Sequence, residues 1–193
     1  MTAGPARPRA RFGPDGGEPT VFVADERPGE EPGDAPEPAV DLDRWSGFAV
    51  AVLGELGVEG EAELSVIFVD EAHIARLNAR HLGHQGATDV LAFPIDGVAE
   101  VSTSGLAPGR ATEDPDDQPL LLGDVVICPA VAESQAPEHA GSLDDELALL
   151  IVHGVLHVMG MDHATDDERV AMQARERELL AKLHGPLTRD PWA

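Results

Sequence analysis

Three histidines at fixed spacing, His153, His157 and His163, are the residues of this chain best suited to do chemistry. His153 and His157 stand four residues apart in the apolar run LALLIVHGVLHVMG, so on a helix they fall one turn apart on the same face. Gly160 suits the left-handed conformation that ends such a helix, and the turn returns His163 to the other two. Three imidazoles with one open position are the ligand set of a catalytic zinc, whose fourth site holds water. The spacing H-x3-H-x5-H, with a glycine seven residues after the first histidine, matches that of the H-E-x-x-H-x-x-G-x-x-H proteases. Gly154 stands where those proteases carry their glutamate, so the carboxylate that would take a proton from metal-bound water is missing there. The plainer reading, satisfied histidines on a buried helix, suits a lone histidine better than three at ligand spacing. One zinc ion is the expected occupant, although nickel or copper would fit the same donors in vitro.

The elements that must position these residues are legible in the periodicity. Asp41 caps a helix whose apolar positions Leu42, Trp45, Phe48, Ala49, Val52, Leu53 and Leu56 recur at three- and four-residue steps until Gly57. AELSVIFVD (62–70) reads as a central strand with two nearly apolar faces, and Asp70 caps the helix that follows. Turn residues around His81–Ala87 lead into the strand Thr88–Pro94. Thr88 and Asp89 open that strand, either bonding loop backbone groups or positioning a substrate, the structural role being favoured. LLLGDVVICP is another strand, and its Gly123 predicts a bulge or a close approach of another backbone. Pro129 opens a short helix, Ser142 caps the helix of the histidines, and Thr165 with Glu168 forms a capping box for the last helix. Asp162 is open to two roles, acceptor for a ligand histidine or simple turn residue. His184 reads as a helix C-terminal residue only.

This order predicts an α+β fold: a small mixed sheet of about four strands packed with four to five helices, with the metal site on a buried helix and the following turn. Residues 1–40, rich in Pro, Gly and acids, read as mostly disordered, with VFVA at 21–24 as a candidate edge strand. The hydrolase domain spans 41–185, interrupted by a mobile insertion at 95–119, and the tail 186–193 is expected to fray.

The formal charge is −23. Residues 1–40 carry 4 Arg against 8 acids, residues 96–118 carry 1 Arg against 6, and the remainder still holds 8 Lys and Arg against 22 acids. Strong non-specific binding to a nucleic-acid backbone is therefore not expected. No apolar run approaches a membrane span, and no secretory signal is visible. The single cysteine, Cys128, excludes an internal disulfide, suits a reducing cytoplasm, and reads as a buried thiol at a strand end.

The motif H-G-x-L-H-x-x-G-x-D-H, complete here in His153, Gly154, Leu156, His157, Gly160, Asp162 and His163, resembles the signature of the YbeY family of metal-dependent endoribonucleases. Thr88–Pro94 resembles the family's T-D-V-L-S-F-P, with Ala92 in place of Ser, and Gly123-Asp124 resembles its G-D-[IV] stretch. The likeness covers about 41–185, with the 21–24 strand in addition. It implies a zinc-bearing α+β domain that cuts single-stranded RNA in 16S rRNA 3′-end maturation and ribosome quality control. The partners it implies are the 16S rRNA precursor, the small ribosomal subunit and the GTPase Era. A second position departs: Leu82 occupies the place of the arginine expected to hold the scissile phosphate. Arg80, two residues earlier, is the candidate to supply that guanidinium, with His84 able to help when protonated. Two rival readings are a zinc hydrolase of peptide or amide bonds and a metal-containing ribosome assembly factor without catalytic activity.

Overall fold

The structure is a computed structural model, and it describes residues 10–12, 18–28, 37–95 and 119–193. Five strands form one mixed sheet: β1 (Ala10–Phe12), β2 (Thr20–Asp25), β3 (Ala62–Phe68), β4 (Val90–Pro94) and β5 (Leu120–Ile127). Their order is β1-β2-β3-β5-β4. The inner strands β2, β3 and β5 are parallel, and β1 and β4 pair antiparallel at the two edges. The α+β class holds, with one strand more than expected. Thr20–Asp25 is also not an edge, because β1 covers its outer side. Three residues in a Pro-, Gly- and Arg-rich stretch are too short to show a period of two, which is why β1 is invisible in the sequence. The insertion expected at 95–119 lies, apart from its two end residues, outside the described residues, as does most of 1–40.

Parallel neighbours need helical crossovers, and the crossovers cover the sheet. Helices α1 (Leu42–Glu55) and α4 (Leu143–Val158) pack on one face, over Val21, Val23, Leu64, Val66, Phe68, Leu122, Val125 and Ile127. On the other face Val69, Ile74, Leu91, Val126 and Cys128 form a smaller cluster under α2 (Glu71–His81). Helix α3 (Pro129–Gln135), a 3₁₀ turn (Ala136–Glu138) and α5 (Asp166–Leu183) complete the chain. The predicted caps are in place: Asp41, Asp70 and Ser142 accept from the backbone N–H of Arg44, His73 and Asp145, and Thr165 and Glu168 close a reciprocal capping box.

Two glycines shape the site from below. Gly123 sits at a register shift in β5, where Glu63 faces Leu121 but Leu64 faces Gly123. The extra residue puts Leu122 and Val125 on the same face, although simple alternation would separate them. A Cβ at Gly123 would lie 2.3 Å from the Phe93 carbonyl oxygen. At Gly154 helix α4 closely approaches the sheet: a Cβ there would lie 2.5 Å from Cγ1 of the wholly buried Val125. The residue replacing the protease glutamate thus faces packed strand, where a carboxylate has no room.

Candidate metal centre

Helix α4 is apolar nearly all round and is buried between the sheet and helices α1, α3 and α5. Its last two turns carry His153 and His157 on one partly open face. Gly160, at φ 87°, stops the helix, and the turn delivers His163 beside them. One ring nitrogen from each of the three lies within 4.8 Å of the others. Ring centroids are 4.6 Å apart for His153 and His157, 4.9 Å for His157 and His163, and 5.5 Å for His153 and His163.

The second nitrogen of each helical imidazole is already engaged. His153 Nδ1 lies 2.7 Å from Oε1 of Glu176, and His157 Nδ1 lies 2.9 Å from the Met161 carbonyl oxygen. Both acceptors take a proton on Nδ1, which in a neutral imidazole leaves Nε2 as the bare nitrogen. Those two Nε2 atoms face one another at 3.1 Å. With both rings in the Nδ1–H form the two lone pairs converge, and a shared cation satisfies both. Burial, then the neighbouring His153 and His163, holds His157 below the usual imidazole pKa and hence in its neutral, ligating form. The donor set is therefore suited to a borderline ion such as zinc.

Beside the histidines opens a cleft of about 320 Å³. Its lining includes His153, His163, Asp89, His139, Arg169 and Trp192. His139 is steered by Glu146, a fully buried carboxylate 2.8 Å from its Nδ1 that also accepts from the Ala140 N–H. Asp89 accepts from the Thr88 hydroxyl at 3.0 Å and the Val90 N–H at 2.8 Å through the same oxygen, so it organises the start of β4 as well as bordering the cleft.

A family model described as Endoribonuclease YbeY matches residues 37–184. The chain belongs to the YbeY endoribonuclease family. Relatives carrying that description include proteins from Acidothermus cellulolyticus (47% identical, covering 76% of this chain and 87% of the relative) and Salinispora tropica (46%, 76% and 92%). A third, from Mycolicibacterium vanbaalenii, is 42% identical over 75% of each chain. The solution structure of a protein from Thermotoga maritima has the same fold, with a TM-score of 0.50 at 23% identity over 75% of this chain and 81% of that one. As a YbeY-family endoribonuclease, the protein is a hydrolase.

The structure brings the three predicted ligands together. Arg80 is exposed on the last turn of α2, and it is not among the residues lining the cleft. Leu82 is 58% exposed. The arginine that does line the cleft is Arg169 of α5, paired with Asp166 at 2.6 Å. Asp162 resolves to the turn role, accepting the N–H of His163 at 2.7 Å. The acceptor for a ligand histidine is Glu176, which sequence reading missed. Its one signal was a glutamate on the α5 face that also buries Met172, Leu179 and Leu180. His184 does more than end a helix, since its Nε2 meets Oδ1 of Asp145 at 2.8 Å. Cys128 is buried just beyond β5, and burial pushes its thiol pKa up, as befits an inert thiol.

Proposed function

We propose that this protein is a zinc-dependent endoribonuclease that cuts single-stranded RNA in 16S rRNA 3′-end maturation and ribosome quality control. It works in the cytoplasm with the small ribosomal subunit and the GTPase Era. The observation that carries the metal dependence is the facing pair of bare Nε2 atoms at 3.1 Å, each with its Nδ1 committed elsewhere. Among the described residues no helix is long and apolar enough to cross a membrane.

His153, His157 and His163 would hold the ion. Bound there, zinc would supply Lewis acidity toward a phosphodiester and a water acidic enough to ionise near neutral pH. The protein's own contribution is to fix the imidazoles and shape the cleft. Gly154 has no side chain to accept a proton, and packing on Val125 leaves no room for one, which argues against a peptide hydrolase of the H-E-x-x-H kind. Two guanidinium groups are candidates for the scissile phosphate: Arg80, from its place in the sequence, and Arg169, which borders the cleft. The net charge of −23 keeps non-specific RNA affinity low, so recognition rests on the metal centre and a partner. That charge and Leu82 favour, as the second reading, an assembly factor that holds its metal without turnover.

The test is cleavage of a single-stranded fragment of the rRNA 3′ end by the wild type and by His157→Ala, purified identically, with bound metal quantified in both. Cleavage by the wild type alone, tracking zinc content and abolished by chelation, is the expected result. Equal cleavage by both variants would trace the activity to a contaminating nuclease. A fully metallated wild type that cuts neither the fragment nor the precursor on small subunits would establish the assembly-factor reading.

A further inference from the structure

The segment after α5 makes specific contacts with the rest of the domain. The Thr188 N–H donates to Oδ2 of Asp145 at 3.1 Å, the Arg189 N–H donates to the Ala140 carbonyl at 2.9 Å, and Trp192 borders the cleft beside His153. The guanidinium of Arg177 lies over the indole of Trp192 at 4.4 Å. The indole Nε1–H donates to Oε2 of Glu176 at 2.9 Å. Glu176 is 3% exposed, and its other oxygen, Oε1, takes the Nδ1–H of His153. The carboxylate is therefore held between one donor from the tail and one from a ligand histidine.

We infer that Trp192 is a positioning residue for the metal centre, acting through Glu176 on His153. A buried carboxylate with one oxygen unbonded would be free to rotate away from the imidazole. The indole N–H fixes its plane and holds it as an acceptor, and the acceptor in turn fixes the proton of His153 on Nδ1 and the lone pair on Nε2. Outer partners of this kind govern both the orientation and the basicity of a ligating histidine. The consequence is that the last turn of the chain, 39 residues beyond His153, contributes to metal affinity. The inference rests on the reading of the three histidines as a metal site.

Two measurements on the full chain test it. The first is zinc affinity by competition with a chromophoric chelator. The second is ¹⁵N NMR of the imidazoles in the metal-free protein, which reads which nitrogen of His153 carries the proton. Glu176→Gln is expected to lower zinc affinity about 10- to 100-fold, the usual effect of losing an outer partner. Trp192→Phe keeps an aromatic ring in the wall and removes only the donor, so a smaller loss, about three- to tenfold, is expected. Both variants should shift His153 away from the Nδ1–H form in the absence of metal, a change that simple loosening of the tail would not produce. Thr188→Val is the control: it removes the side-chain hydrogen bond of Thr188 to Asp145 and leaves the indole N–H in place, so zinc affinity should stay within about twofold of wild type. Trp192→Phe with wild-type affinity and a wild-type His153 tautomer would overturn the inference while leaving the metal site standing. A wild type that binds no zinc, nickel or copper would overturn both.

Discussion

Replacing Gly154 with alanine separates two opposing effects whose sizes can be set from the structure. In an unhindered helix interior, Gly→Ala is stabilising by about 1 kcal/mol. Here the new Cβ would meet Val125 at 2.5 Å to Cγ1, 3.1 Å to Cγ2 and 3.4 Å to Cβ. Ordinary carbon contacts are about 3.5–4.0 Å, so the overlap with Cγ1 is about 1 Å. Val125 has nowhere to retreat. It is fully buried, branched at Cβ, and flanked by Val66 of β3 and Ala92 of β4. Overpacking of this kind costs about 1–3 kcal/mol, and a collision with a stiff side chain in a central strand belongs in the upper half of that range. The net expectation is a destabilisation of about 1–2 kcal/mol, seen as a fall in melting temperature of about 2–8 °C for a chain of this size. Denaturant unfolding of Gly154→Ala, Val125→Ala and the double variant gives the coupling directly. With Val125 truncated, the alanine should become neutral or stabilising, a coupling of at least about 1 kcal/mol. Because His153 adjoins Gly154, the displaced helix should also bind zinc more weakly. A single variant more stable than wild type by about 1 kcal/mol would refute the close contact, and with it the reason no carboxylate stands at this position.

Two further expectations concern stability. Asp145 is 6% exposed; burial alone would raise its pKa, but hydrogen bonds from Thr188, His184 and Ser142 outweigh it and lower it to about 2. A depressed carboxylate stabilises the fold above its unfolded pKa and loses that contribution as pH falls, so roughly 2 kcal/mol should disappear between about pH 4 and pH 2. Asp145→Asn should flatten that part of the stability profile, and a profile as steep as wild type would contradict the assignment. Arg27 and Asp25 form a bidentate pair with side chains 6% and 7% exposed, and Arg27 also donates to the Pro38 carbonyl at 2.9 Å. Arg27→Leu removes the guanidinium that pairs with this buried carboxylate and should cost about 3–5 kcal/mol by urea titration, with a loss below about 1 kcal/mol counting against a buried pair.

The ligand set was legible because it is local. His153 and His157 share a helix face by the period of the helix, and Gly160 marks the turn that returns His163, so three residues within one short stretch specify the geometry. The four side-chain caps and the α+β class were legible for the same reason: each depends on neighbours a few residues apart or on a run long enough to show its period. Packing alone explains why position 154 is glycine, since the sequence shows the missing carboxylate but not Val125 behind it. The short strand β1 and the side change at Gly123 also depend on a partner strand that no local pattern announces. Glu176 meets His153 across 23 residues and Trp192 across 16, and only the docking of α5 and the tail against α4 brings those groups together. Periodicity determined which nitrogens face one another; contacts remote in sequence decided which of them keep their protons, because hydrogen-bond partners are chosen by proximity in space and not along the chain.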